Sequence, residues 1–229
     1  MSSHIREYTY NILIVEDNLL LSDGIKAVLN LIPQNEPLLN FNIEQALDYE
    51  SGVTKIEEVK SKGFFDVVIL DISLGISNDG VRRSGEELGT WIRSHSPKIK
   101  IIVFTSYSDS FRINSIFKNV NPEGFLIKNS KTDYRVLQKV IVKIINGETH
   151  YCSTLSEVIR KRNRIPEKLD VIDLKILYEL SNATKKKNMP KYIPLELRSI
   201  EKRLRHLKEI FKVDCDRDLV LKAKENGFL

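Results

Sequence analysis

Four short apolar runs in the first 130 residues each end on side chains that can do chemistry. Asn11–Val15 runs into Glu16 and Asp17, Asp66–Leu70 into Asp71, Ile101–Phe104 into Thr105, and Gly124–Ile127 into Lys128. The set is three carboxylates, a hydroxyl and an ammonium. Carboxylates gathered in one cleft repel and resist joint ionisation. A hard divalent cation relieves this, and oxygen ligands with positions left open for phosphate suit Mg2+. A carboxylate is also a competent nucleophile toward an activated phosphoryl group, giving an acyl phosphate. Thr105 can then donate a hydrogen bond to a phosphoryl oxygen, and Lys128 can neutralise another. A lone Asp at a strand end is ordinarily a turn or capping residue, and a lone Lys there is solvated. Five such residues at successive strand ends outweigh that reading.

The elements that must position them alternate. Leu19–Leu31 carries apolar residues at helical spacing and stops at Pro33; Leu38–Ala46 alternates as a strand does; Val53–Lys62 is an amphipathic helix closed by Gly63. Gly85–His95, Asp109–Lys118 and Tyr134–Ile145 are the remaining helices of this half. The runs at Asp66–Leu70 and Ile101–Phe104 are continuously apolar, as strands buried on both faces require. Five βα units predict an α/β fold, a five-stranded doubly wound parallel sheet whose site lies at the carboxyl ends of its strands.

Composition narrows the class. The chain has 229 residues, 41% hydrophobic, with a net charge of +5. Residues 1–150 hold 17 Lys+Arg against 19 Asp+Glu, whereas residues 151–229 hold 19 against 12. An acidic front and a basic back predict two domains with different partners. No apolar run reaches the ~18 residues of a membrane span, and the N-terminal stretch MSSHIREYTY lacks the order of a secretory signal. Cys152 and Cys215 stand apart from any ligand set. The expectation is a cytoplasmic protein with no membrane partner.

The motifs VEDN (Val15–Asn18), VVILD (Val67–Asp71), IIVFT (Ile101–Thr105) and GFLIK (Gly124–Lys128) together resemble the receiver domain of two-component response regulators, over about residues 10–146. The resemblance implies a flavodoxin-like fold in which Asp71 accepts phosphate from a sensor histidine kinase. Glu16 and Asp17 would hold Mg2+ with Asp71 and the backbone carbonyl of Ser73. Thr105 and Lys128 would sense the phosphoryl group, and Phe125 matches the aromatic that turns inward on activation. Such a chain is a phosphate acceptor rather than an enzyme, with only intrinsic hydrolysis of its aspartyl phosphate. Three features depart from the pattern: Gly75 where Pro is usual, Asn129 after Lys128 in place of Pro, and a long Gly75–Ser84 segment carrying Asp79, Arg82 and Arg83. By the same resemblance Tyr107, two past Thr105, would occupy a position that shapes water access to the acyl phosphate. A phosphatase of the haloacid type would need a second Asp where Ser73 stands.

The tail begins with a helical stretch, Ser153–Lys161, and a basic linker ending near Pro166. Leu169, Ile172, Ile176, Leu177 and Leu180 form one apolar stripe, with Asp170 and Asp173 placed for capping or dipole roles. Leu195–Lys212 is the strongest helix: Leu197, Ile200, Leu204, Leu207 and Phe211 make one face, and Arg198, Lys202 and Arg205 lie off it at i, i+4 and i+7. Cations so placed can reach phosphates or base edges. Leu169–Leu229 resembles the helix-turn-helix domain of NarL/LuxR-type regulators. By that resemblance Lys202 and Arg205 face the major groove, and Asp218–Lys224 lies on the dimer-forming helix. Ala183 stands where Gly is usual, Pro190 falls inside the supporting helix, and Glu201 sits among the cations. Support therefore comes either from a short helix starting at Pro190 or from a motif put to another use.

These readings define a receiver domain at 1–147, a linker with a short helix at 148–168, and a smaller all-α helix-turn-helix domain at 169–229. The function expected is a phosphorylation-controlled transcriptional regulator that binds DNA, as a homodimer when phosphorylated. The alternative is a receiver-driven module whose tail binds a protein partner.

Overall fold

The structure, a computed structural model, describes residues 8–59, 63–75, 83–128, 133–162 and 169–229. It divides into two units, Met1–Tyr107 with Ile116–Cys152, and Ser108–Ser115 with Ser153–Leu229. Asp79, Arg82 and Asn129 fall outside the described residues, as does the linker at 163–168.

As far as residue 152 the order along the chain is β1 (Tyr8–Val15), α1 (Leu19–Asn30), α2 (Ile32–Asn35), β2 (Leu39–Ala46), α3 (Tyr49–Val59), β3 (Val67–Leu70), α4 (Gly85–His95), β4 (Lys100–Thr105), α5 (Ser110–Val120, whose first turns belong to the second unit), β5 (Gly124–Ile127), α6 (Tyr134–Ile145) and β6 (His150–Tyr151). All strand pairs are parallel, in the order β2-β1-β3-β4-β5-β6. The expected strand count of five is corrected to six. Gly147 turns the chain at φ 86° after α6, and His150 and Cys152 then donate to the Glu123 and Phe125 carbonyls at 2.9 and 3.0 Å. A strand of two residues is too short to leave a periodic signal.

Ile12–Val15, Val67, Val68 and Ile101–Val103 are fully buried, because helices cover both faces of the sheet. Register does the positioning. Val15 lies opposite Leu70, Leu70 opposite Val103, and Thr105 opposite Ile127. The residues that follow these strands therefore emerge at one end of the sheet.

Helix α3 begins four residues before the expected Val53. Ser51 and Asp48 bond each other's backbone N–H groups at 2.8 to 3.2 Å and start the helix there. Gly52 hid this turn from the sequence reading. It is needed because a Cβ there would lie 2.9 Å from the Leu88 side chain.

The second unit includes α7 (Ser153–Arg162), α8 (Val171–Ser181), a 3-10 helix (Lys186–Lys191), α9 (Leu197–Phe211) and α10 (Asp216–Glu225); the last four surround a core that includes Leu177, Met189, Ile200, Leu204 and Leu219. Asp170 and Asp173 form a reciprocal capping box at the start of α8, with bonds of 2.8 and 3.1 Å. The supporting element does not start at Pro190. It is a 3-10 turn that contains Pro190, and its end is satisfied by Tyr192 N–H donating to the Met189 carbonyl at 2.9 Å. Proline has no N–H for an α-helical bond, and the tighter turn closes without one. Ala183 has φ 57°, the left-handed conformation that explains why glycine suits that position.

Candidate functional site

Each acid is delivered by a strand end that other contacts hold still. Glu16 N–H donates to the Ala46 carbonyl at 3.0 Å and Asp71 N–H to the Val15 carbonyl at 2.9 Å, so the ladder continues past the strands into the cleft. Asn18 caps α1 by accepting from Leu21 N–H at 3.1 Å, and its own N–H donates to Glu16 Oε1 at 3.3 Å. Helix α1 therefore starts at the cleft floor.

Glu16 and Asp71 are buried and Asp17 is exposed; one carboxylate oxygen from each lies within 4.8 Å of the other two. Lys128 Nζ sits 2.6 Å from Glu16 Oε2 and 2.8 Å from Asp71 Oδ2. Burial pushes the Glu16 carboxyl above its ordinary value, and the hydrogen bond and charge of Lys128 oppose that shift only in part. The ammonium also lies over the Phe104 ring, 5.5 Å from its centroid. One cation is thus shared by two of the three carboxylates. The remaining charge and the all-oxygen donor set fit a hard divalent cation.

Thr105 is fully buried, and its Oγ1 accepts from Tyr107 N–H at 3.2 Å. Lys128 N–H donates to the Thr105 carbonyl at 2.7 Å, which ties hydroxyl and ammonium to one piece of backbone. Ser73 N–H donates to Asp71 Oδ1 at 3.2 Å. Phe125 has no exposed surface and lies opposite Tyr151 of β6, so this aromatic faces inward. Arg83 is committed elsewhere: it pairs with Glu50, and its guanidinium lies 5.2 Å from the Tyr49 ring centroid.

Sequence reasoning missed Gly85, the first residue of α4. A Cβ on it would stand 1.8 Å from the Asp71 carbonyl oxygen and 3.0 Å from the Ile72 Cα, both backbone atoms. Only glycine lets the helix start against the Asp71–Ile72 peptide. The signal was present as a Gly directly after Ser84, which forms a capping box with Glu87. Arg93 was also missed. It donates to the Val120, Ile99 and Asn121 carbonyls at 2.7 to 2.8 Å and pairs with Glu123, whose carboxylate accepts from Ile101 N–H at 2.7 Å.

In the second unit Arg198, Lys202 and Arg205 are all exposed on α9, and among the described residues none of their side chains has a partner. Arg203, on another side of the helix, donates to Asp170 and Asp173 at 2.7 Å each and pins α9 to the start of α8. Lys208 and Lys186 both pair with Asp216 at 2.6 Å, fixing α9 and the 3-10 turn to α10.

Against known proteins, residues 12–141 match the response regulator receiver domain. The transcriptional regulatory protein DegU of Brevibacillus brevis is 25% identical over 165 residues, covering 72% of this chain and 63% of that protein's length. Among solved structures, RcsB of Salmonella enterica serovar Typhimurium, bound to promoter rprA in the presence of phosphomimetic BeF3−, superposes with a TM-score of 0.59 at 19% identity, over 94% of this chain and 98% of that one. A LuxR-family response regulator from an Aurantimonas species gives 0.54 at 20% identity, over 69% and 99%. At these identities the likeness to solved structures is one of fold. The family match spans more than half of the chain, and with the acidic cleft described above it makes the protein a member of the response regulator receiver domain family.

Proposed function

We propose that Asp71 accepts a phosphoryl group from a sensor histidine kinase and that the modified chain binds DNA through α9 to regulate transcription. The cleft itself carries this reading: a buried carboxylate at a strand end, held against an ammonium and beside two further acids. An Asp71 carboxylate oxygen forms the bond to phosphorus as the phosphohistidine N–P bond breaks, and the imidazole leaves neutral. Glu16, Asp17, Asp71 and the Ser73 carbonyl would hold Mg2+, which when bound supplies positive charge to the phosphoryl oxygens. Lys128 already lies at Asp71 Oδ2 and pairs with a phosphoryl oxygen there, while the Thr105 hydroxyl rotates to donate to another. Inward Phe125 fills the space beside that hydroxyl's strand. DNA binding rests on the exposed, unpaired cations of α9 and on a core that presents them on a rigid helix. The phosphorylated form acts as a cytoplasmic homodimer on paired half-sites.

Acetyl phosphate with Mg2+ adds one phosphoryl group to the wild-type chain, read by intact-mass measurement, and Asp71→Asn takes none. Labelling of the variant at wild-type stoichiometry overturns the site. DNA binding should weaken steeply with salt, as contacts to several phosphates require. Salt-insensitive binding, or none with or without phosphodonor, favours a protein partner for the tail.

A further inference from the structure

Glu201 is an exposed carboxylate on the same side of α9 as the three free cations. It stands three residues after Arg198 and four before Arg205, spacings at which helix side chains meet and opposite charges pair. Neither pair forms, and among the described residues the Glu201 side chain has no hydrogen-bond or ion-pair partner. Nearby acids behave differently. Asp170 and Asp173 are taken by Arg203, Asp216 by two lysines, and Glu209 lies 3.6 Å from the His206 ring.

A carboxylate on a face that meets DNA is repelled by phosphates, so it weakens non-specific binding unless it finds a donor. The major groove offers such donors only on base edges, as the exocyclic amines of cytosine and adenine. Beside the adenine amine lies the N7 acceptor, which repels the second carboxylate oxygen; cytosine presents its N4 amine with no acceptor of its own beside it. The guanine paired with that cytosine presents O6 and N7, acceptors for an arginine or lysine. Arg205, one helical turn along the same side, and Lys202, the next residue, are unpaired cations within this reach.

Resting on the DNA-binding reading above, we infer that Glu201 is a specificity-determining residue of α9: it accepts a hydrogen bond from the N4 amine of a cytosine in each half-site, while a neighbouring cation reads the paired guanine. Glu201 selects a C·G pair and lowers affinity for every other sequence. It acts by discrimination, in contrast to the cations around it.

The test is selection from a randomised duplex pool with the full-length chain, Mg2+ and phosphodonor, followed by sequencing, for wild type, Glu201→Ala and Glu201→Gln. Wild type should enrich a motif with cytosine at one position of each half-site. Glu201→Ala should lose the preference at that position alone, by about tenfold in relative affinity, and should bind unselected DNA more tightly than wild type. Glu201→Gln should move the preference toward adenine, whose N6 and N7 fit an amide. If both variants enrich the wild-type motif unchanged at every position, Glu201 reads no base and the inference falls while DNA binding stands. If wild type retains no duplex at any salt concentration, the DNA-binding reading falls and this inference with it. Thermal unfolding of the variants at the wild-type midpoint excludes a folding defect, as expected for a side chain with no hydrogen bond or ion pair among the described residues.

Discussion

The two charged regions of this chain solve opposite problems. In the cleft, Glu16, Asp71 and Lys128 are drawn together with 2.6 and 2.8 Å contacts in a buried pocket. On α9, Arg198, Lys202 and Arg205 stand exposed with no partners among the described residues, although acids are near in sequence. A group that must react with a small phosphoryl donor profits from desolvation and mutual restraint, because both set its orientation before the donor arrives. A surface that is to meet a large polyanion, as proposed for α9, keeps its charges free, because a cation already paired releases no counterion from the partner. The structure also spends its ion pairs differently. Those of the second unit hold the helix from its other sides through Arg203 and Lys208 and leave the α9 cations available.

The sharpest way to break the cleft is through a backbone contact that has no slack. Gly85→Ala should largely abolish acetyl phosphate labelling of Asp71, because the added Cβ meets the Asp71 backbone at 1.8 Å and either that peptide or the helix must move. Labelling at the wild-type rate would show that the start of α4 is free to retreat. The exposed face should fail gradually instead. Lys202→Ala is expected to weaken binding to all duplexes and to lower the slope of log affinity against log salt by about one, read by fluorescence anisotropy. An unchanged slope would place Lys202 away from phosphate and sharpen its assignment to a base edge.

Two smaller effects separate the units by stability. Ala183 holds φ 57° at the end of α8, a conformation that costs a residue with a Cβ about 1 kcal/mol. Ala183→Gly should therefore raise the unfolding free energy of the second unit by up to about that amount, less the entropy glycine adds to the unfolded chain. A denaturant titration followed through this unit measures it; loss of stability would mean the unfolded chain dominates. The smallest effect lies at β6. Burial, with Lys143 nearby, lowers the His150 pKa below its ordinary value. A histidine depressed in the folded state stabilises it above the unfolded pKa, and that contribution is lost as pH falls through the folded one. Acidification below about pH 6.5 should thus loosen the β5–β6 pairing. Amide exchange at His150 and Cys152 reports this, and exchange independent of pH after correction for intrinsic rates would sink the idea.

Much of the first unit was legible because its chemistry sits next to its strongest patterns. Continuous apolar runs announce buried parallel strands, and the residue after each run is in the cleft by construction of the fold. The capping acids of α8 and the amphipathic α9 were readable for the same reason, since their signals lie within one or two helical turns. β6 was not legible, because two residues carry no period and its pairing depends on an edge left free by β5. Nor was the first turn of α3, where Gly52 lowers the helical signal to make room for Leu88. The Pro190 segment was ambiguous because proline excludes an α-helical bond without saying which turn replaces it.

By itself the sequence determined the alternation of elements, the five side chains of the cleft and the cationic stripe of α9, because each follows from local spacing and residue type. Only tertiary structure decided which charges are spent and which are free. Lys128 is paired with two acids brought to it by strand register, Arg83 is drawn away to Glu50, and Arg203 is consumed by the cap of α8. Glu201, with cations on either side along the helix, is left unpaired among the described residues. Pairing is a matter of distance between segments far apart in the chain, and no local pattern encodes it.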